Sequence, residues 1–139
     1  MDNRFSTIGV SGITHDSRNV ESGSIFVAVP GIHVDGHDYI QHAIKQGAAA
    51  VVGTRPIEDL TVPYVRVGHA RQALAELSAA FYDYPARKMT VIGVTGTDGK
   101  TTTANYIFEI LKAAGVQAGM ISTVNAVIGN QKLDTGFHV

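Results

Sequence analysis

The chain has 139 residues, 45% hydrophobic and 17% charged, with a formal net charge of -1 and no cysteine. That length holds one ordinary domain, or a small domain with part of a second, and the composition is that of a folded globular chain rather than a disordered one. The scattered basic residues exclude the footprint of a nucleic-acid or anionic-membrane binder, and the missing cysteines exclude a disulfide framework or a thiolate metal site. No apolar run approaches the roughly 20 residues that span a bilayer, and the first six residues lack the apolar heart of a signal peptide. The expectation is a cytoplasmic protein that meets small molecules first.

In chain order, residues 24–29 form a short apolar, β-rich run, and Pro30-Gly31 followed by Asp35-Gly36 supplies turn chemistry after it. From Asp38, the spacing of Ile40, Ala43 and Ile44 predicts a helix, with Gly47 at the place of a left-handed C-terminal cap. Residues 48–52 read as a buried strand and 64–67 as another. Over 69–82, Leu74, Leu77 and Phe81 share one helical face until Pro85 ends it. Residues 83–88 are polar and contain a proline, so a domain boundary is expected there. A β-branched strand over 90–94, a glycine-rich turn and a helix over 102–114 follow, the helix carrying Ile107, Ile110, Leu111 and Ala114 before Gly115. A strand over 120–124 and a hairpin of Val127-Ile128 with Lys132-Leu133 around Gly129-Asn130 complete the chain. One βαβ-like unit plus a hairpin is a thin sheet with exposed edges, so the second domain is expected to be incomplete.

The segment Gly93-Val-Thr-Gly-Thr-Asp-Gly-Lys-Thr101 has the chemistry of a phosphate-binding loop. Phosphate needs several backbone N–H groups converging on one point, and Gly96 and Gly99 permit the turns that expose them. A helix starting near Thr101 turns its positive end to the same anion. Lys100 would then reach the β and γ phosphates, and the Thr101 hydroxyl would complete the shell of a Mg2+ ion, with Thr102 and Thr103 as further donors. The usual G-x-x-x-x-G-K-[ST] pattern requires glycine at position 94, which is Val94 here, with Gly93 one place earlier.

With these residues in view, the chain resembles the Mur ligases of bacterial cell-wall synthesis, whose loop reads Thr-Gly-Thr-x-Gly-Lys-Thr-Thr, here Thr95-Gly-Thr-Asp-Gly-Lys-Thr-Thr102. Thr14-His-Asp-Ser-Arg18, Gly23-Ser-Ile-Phe-Val-Ala-Val-Pro-Gly31, Asp35-Gly-His-Asp-Tyr-Ile40 and Gly47-Ala-Ala-Ala-Val51 look like the N-terminal domain of the family's MurE branch. The resemblance implies an α/β fold: a small N-terminal α/β domain over 1–85 for the UDP sugar, then the start of a P-loop ATPase central domain over 86–139. It implies an ATP- and Mg2+-dependent amide ligase that adds diaminopimelate or lysine to UDP-N-acetylmuramoyl-L-Ala-D-Glu. ATP phosphorylates the D-glutamate carboxylate, and the incoming amine displaces phosphate from the acyl phosphate. By the same resemblance His15 and Ser17 contact the uridine diphosphate group, Ile32, His33 and Val34 line the uracil pocket, and Gly96, Thr97, Asp98, Gly99, Lys100, Thr101 and Thr102 hold ATP. Lys100 acts on the phosphates in catalysis and Thr101 ligates Mg2+.

Asp98 departs from the asparagine common in that branch; a carboxylate beside a triphosphate is repulsive unless it faces Mg2+ or solvent. The family's catalytic glutamate, magnesium-binding histidine and carbamylated lysine would fall beyond Val139, so this piece alone is not expected to catalyse ligation, and the full-length protein is expected to be a monomer. MurF-type ligases share the Asp-Ser-Arg and Asp-Gly-His features but usually carry Thr-Gly-Ser in the loop, so Thr97 favours the MurE branch. A UDP-sugar or nucleotide-binding module without catalysis is a rival of another class. An unrelated P-loop switch would need a Walker B aspartate, for which Asp134 is a poor candidate. Taken without the resemblance, Asp16 and Arg18 read as a surface turn with an aspartate capping its own backbone. His33, His37 and His42 read as structural or solvated histidines rather than a metal site, His69 as the start of a helix and His138 as part of a frayed end. Phe81, Tyr82 and Tyr84 read as packing near the domain junction rather than a base-stacking platform.

Overall fold

The computed structural model describes residues 9–134; His138 and the first six residues lie outside them. The chain divides into two compact units, Met1–Thr90 and Val91–Val139.

The first unit is built on a parallel sheet of four strands in the order β1-β2-β3-β4, namely Ile13–Thr14, Ile25–Val27, Ala50–Gly53 and Tyr64–Arg66. Sequence-adjacent strands are also neighbours in space, with Ile13 opposite Ile25, Phe26 opposite Val51 and Val52 opposite Val65. Because side chains alternate across a strand, the run Ile25-Phe26-Val27-Ala28 feeds both faces. Phe26 and Ala28 join Val51, Val20 and the α1 residues Ile40 and Ala43 on one face, where α1 spans Ile40–Lys45. Ile25 and Val27 join Ala50, Val52 and Ala70 on the other, with Ala73, Leu74 and Leu77 of α2, Ala70–Phe81, packed against them. This division follows from connection order. Right-handed crossovers between successive parallel strands place the intervening segments on one face, and α2, emerging after β4, folds back over the opposite face. Both faces are thereby covered, as an all-parallel sheet requires.

Helix α1 ends as its sequence predicts. Gly47 stands at φ 103°, with its N–H on the Ile44 carbonyl and the Ala48 N–H on the Ala43 carbonyl, both at 3.0 Å; this is a Schellman cap. Helix α3, Lys100–Ala113, closes the same way at Gly115, where the Val116 N–H reaches the Leu111 carbonyl at 2.9 Å.

The second unit sets α3 with an antiparallel meander of β5, Gly119–Ile121, β6, Asn125–Ile128, and β7, Gln131–Asp134. The expected hairpin around Gly129-Asn130 is present, with Ile128 opposite Gln131. Two expectations are corrected. Residues 90–95 are not a strand, because no described strand lies beside them to complete a hydrogen-bond ladder; the unit runs helix then three strands rather than βαβ. The buried side of α3 centres on Phe108, with Ala104, Ile107 and Leu111 half-buried at helical spacing, while Ile110 is 67% exposed. Among the described residues of this unit, Phe108, Met120 and Ala126 are the buried apolar ones.

Candidate functional site

In the second unit, residues 96–99 bend into the start of α3. Gly96 has φ 147°, and Gly99, the residue before the first helical turn, has φ 73°, a left-handed conformation that a side chain resists. The Thr103 N–H donates to the Gly99 carbonyl at 2.8 Å, so the amides of Gly99 to Thr102 precede the helical ladder and point out of the N-terminal end. The Lys100 ammonium folds back over the turn and donates to the Gly96 carbonyl at 2.7 Å and the Thr97 carbonyl at 3.0 Å. Thr97, Asp98, Lys100 and Thr102 are exposed and Thr101 is half-buried. Helix N-terminus, glycine turn and ammonium are thus gathered within residues 96–102, the groups from which phosphate-binding loops are built. Thr101, at the start of α3, is the hydroxyl expected to meet Mg2+, with Thr97, Asp98 and Thr102 exposed around it. The described residues contain no cluster of three or more histidine, aspartate or glutamate side chains that would cage a metal. An ion here would be held mainly by nucleotide phosphates and water, as is usual for Mg2+.

In the first unit, parallel strands send their following loops out of the same sheet edge, which is where open α/β sheets take ligands. His15 to Arg18 follow β1, Ile32 to Val34 lie beyond the C-terminal end of β2, and Thr54-Arg55 follow β3. Asp16 caps the short 3-10 turn Ser17–Asn19, taking the Arg18 N–H at 2.9 Å and, on both carboxylate oxygens, the Arg18 guanidinium at 2.6–3.2 Å. Those hydrogen bonds hold the Asp16 carboxyl down at about 2, from an ordinary 3.8. Ser17, behind the capped turn, is buried, whereas His15 is exposed.

The loop bearing Ile32 to Val34 is closed at its neck by an antiparallel bridge between Pro30 and Asp35, the Gly31 N–H reaching the Val34 carbonyl at 3.0 Å. Ile32, His33 and Val34 at its tip are exposed. Topology thus brings the two groups expected to bind the UDP sugar to one sheet edge, on neighbouring strands.

Sequence reasoning missed the polar cluster beside that neck. His37 is buried, its Nδ1 2.5 Å from Asp35 Oδ1, and its Nε2 accepts the Thr54 N–H at 2.9 Å. Arg55 donates to the other Asp35 oxygen at 2.5 Å. These bonds hold the Asp35 carboxyl below its usual range, His37 first and Arg55 last. The Asp35-Gly-His37 spacing, in which Asp35 also takes the His37 N–H at 2.9 Å, is the local signal that was available. Thr54 and Arg55 lie too far along the chain to give one.

Residues 9–82 match the Mur ligase family, catalytic domain, and residues 94–139 match the Mur ligase middle domain. The chain is 49% identical over 124 residues to a UDP-N-acetylmuramyl-tripeptide synthetase of Roseiflexus sp. (strain RS-1), covering 88% of this chain and 24% of that protein. It is 45% identical over 125 residues to the UDP-N-acetylmuramoyl-L-alanyl-D-glutamate--2,6-diaminopimelate ligase of Bacillus cereus, covering 90% and 25%. The chain spans about a quarter of the length of the curated relatives it matches. Among solved structures, MurF ligase from Thermotoga maritima in complex with ADP aligns at TM-score 0.59 and 34% identity over 73% of this chain and 23% of that one. A UDP-N-acetylmuramoyl-L-alanyl-D-glutamate--2,6-diaminopimelate ligase shares the fold at TM-score 0.70 over 94% of this chain and 27% of that one, at 23% identity.

Proposed function

The chain belongs to the Mur ligase family, and on that premise we propose that it supplies the UDP-sugar-binding domain and the beginning of the ATP-binding domain of a ligase that adds diaminopimelate or lysine to UDP-N-acetylmuramoyl-L-Ala-D-Glu. The observation that carries the reading is the loop at Gly96 to Thr102. Two positive-φ glycines, a helix N-terminus and a lysine ammonium converge there inside a sequence that retains the family's Thr-Gly-Thr-x-Gly-Lys-Thr-Thr order.

In that reading residues 1–85 bind the uridine nucleotide and residues 86–139 begin the ATP site. The amides of Gly99 to Thr102 and the Lys100 ammonium neutralise and orient the phosphates, and Thr101 contributes one oxygen to Mg2+. To do so Lys100 leaves the Gly96 and Thr97 carbonyls, which lie within its reach. His15 and Ser17 approach the diphosphate, and Ile32, His33 and Val34 offer apolar and polar surface to the base. In the full-length enzyme the γ-phosphoryl group passes to the D-glutamate carboxylate. The amine of the third amino acid then forms the amide as inorganic phosphate leaves. Such an enzyme works in the cytoplasm; no helix among the described residues is long and apolar enough to cross a membrane.

A MurF-type ligase is the second reading, favoured by the solved MurF structure that aligns with this chain. Thr97 and the tripeptide-synthetase relatives weigh against it. Calorimetric titration separates the readings. Wild-type chain is expected to bind UDP-N-acetylmuramoyl-L-Ala-D-Glu more tightly than the corresponding tripeptide nucleotide, with binding weakened by Ser17→Ala. Mg-ATP binding is expected to be lost in Lys100→Ala. A folded sample that takes ATP but neither UDP sugar would overturn the assignment, and preference for the tripeptide nucleotide would move it to the MurF branch.

A further inference from the structure

The tip of the loop after β2 has no packing that would give it a shape. Ile32 is 95% exposed and Val34 55% exposed, an unusual display of branched apolar side chains at the end of a tight turn. Backbone bonds close only the neck: Gly31 N–H to the Val34 carbonyl, and Gly36 N–H to the Val29 carbonyl at 3.0 Å. What orients the loop relative to the sheet is the polar cluster behind it. Asp35, the last residue of the neck, takes the His37 amide and imidazole on one oxygen and the Arg55 guanidinium on the other. The His37 side chain is 2% exposed. Because its Nε2 accepts the Thr54 amide, Nδ1 carries the proton and faces Asp35, so the hydrogen bonding itself selects the tautomer.

The far end of this chain of bonds is anchored too. The Tyr64 hydroxyl donates to the Arg55 carbonyl at 2.6 Å and Arg66 Nε to the Thr54 carbonyl at 3.1 Å, so the segment after β3 is tied to β4. Space for the cluster depends on Gly53: a Cβ there would stand 2.6 Å from the Tyr64 hydroxyl and 2.8 Å from His37 Nε2.

We propose that Asp35, His37 and Arg55 are positioning residues that clamp the loop after β2 to the end of β3, presenting Ile32 to Val34 in the orientation from which they receive the base of a uridine nucleotide. This rests on the reading of that loop as the nucleotide-binding element. The clamp touches no ligand. It acts by holding an otherwise unsupported tip in one arrangement before binding, so the ordering cost is not charged against affinity.

The test uses the 139-residue chain with His37→Gln, whose flexible carboxamide replaces the rigid ring that bridges the Thr54 amide and Asp35, and Arg55→Met, a half-exposed change that leaves the buried bonds in place. Amide exchange at Gly31 and Gly36 is expected to accelerate in both variants while Val27 and Val51 keep wild-type protection. Calorimetry with UDP-N-acetylmuramoyl-L-Ala-D-Glu is expected to show Kd raised about tenfold in His37→Gln and about two- to fivefold in Arg55→Met, at unchanged stoichiometry. Unchanged Kd in folded variants, or loss of stoichiometry alone, would reduce the cluster to a structural brace and overturn the proposal. If wild type binds no UDP sugar, the functional reading falls. The exchange measurement then decides the clamp separately, since unaltered protection at Gly31 and Gly36 overturns it and faster exchange there sustains it.

Discussion

Replacing Asp16 by asparagine keeps a carbonyl oxygen for the Arg18 amide but removes the charge that pairs with the Arg18 guanidinium. A carboxyl held at about 2 rather than 3.8 corresponds to at most about 2.4 kcal/mol, at about 1.36 kcal/mol per pKa unit. The pair is not dry: the Asp16 side chain is 26% exposed and that of Arg18 84%. Solvent screening therefore reduces the expected loss in Asp16→Asn to about 0.5–1 kcal/mol at pH 7. The sign follows from linkage. A carboxyl whose folded value is depressed contributes its full stability above its unfolded value, and that contribution fades as pH falls towards the folded one. Urea titrations of wild type and Asp16→Asn at pH 7, 5, 4 and 3 should show a constant gap down to about pH 5, then a gap that closes between about pH 4 and 2. At pH 7, 1 M salt should narrow it as well. A gap as wide at pH 3 as at pH 7, or one that widens on acidification, would refute the assignment of Asp16 as an ionised, charge-paired cap.

Phe26 is fully buried at the centre of the β-sheet's α1 face. Phe26→Ala should cost about 3–5 kcal/mol, much of what a unit of this size possesses, and a drop in the urea midpoint equivalent to less than about 1.5 kcal/mol would contradict that packing. Gly47→Ala places a Cβ 3.1 Å from Ser22 Cα at φ 103° and should cost about 1–3 kcal/mol, visible as a lowered Tm by circular dichroism. An unchanged Tm would mean that α1 does not end in the left-handed cap.

Local chemistry carried the legible part of the fold. Gly47 and Gly115 mark the ends of α1 and α3 because only a residue tolerant of positive φ terminates a helix in that way, and both act as predicted. The apolar run at 25–28 announces a strand buried on both faces. Strand β1 was not foreseen: two residues are too few to show alternation, and Ile13 and Thr14 are a strand only by pairing with Ile25 and Phe26. The opposite failure occurred at 90–94, where β-branched residues satisfy the propensity for a strand but no described partner completes it. On the helix, the apolar residues of the sequence run from Ile110 round to Phe108, so spacing alone could not tell that the Phe108 side of that wide stripe is the one buried. For the candidate sites, the glycine-lysine-threonine turn was readable because its donors are consecutive. The His37 cluster was not, because its donors come from loops 17 and 18 residues apart that meet only when β2 and β3 pair.

The ammonium of Lys100 resting on the carbonyls of Gly96 and Thr97 makes the loop its own competitor. On the proposed role, an arriving phosphate would not simply add contacts to an idle cation; it would exchange two charge–dipole bonds for stronger charge–charge ones. Recognition would therefore be graded by the ligand's charge density, with weak anions gaining little from the exchange. Because the lysine is already tethered over the turn, a loop with the proposed role would discriminate by substitution rather than by folding around whatever arrives.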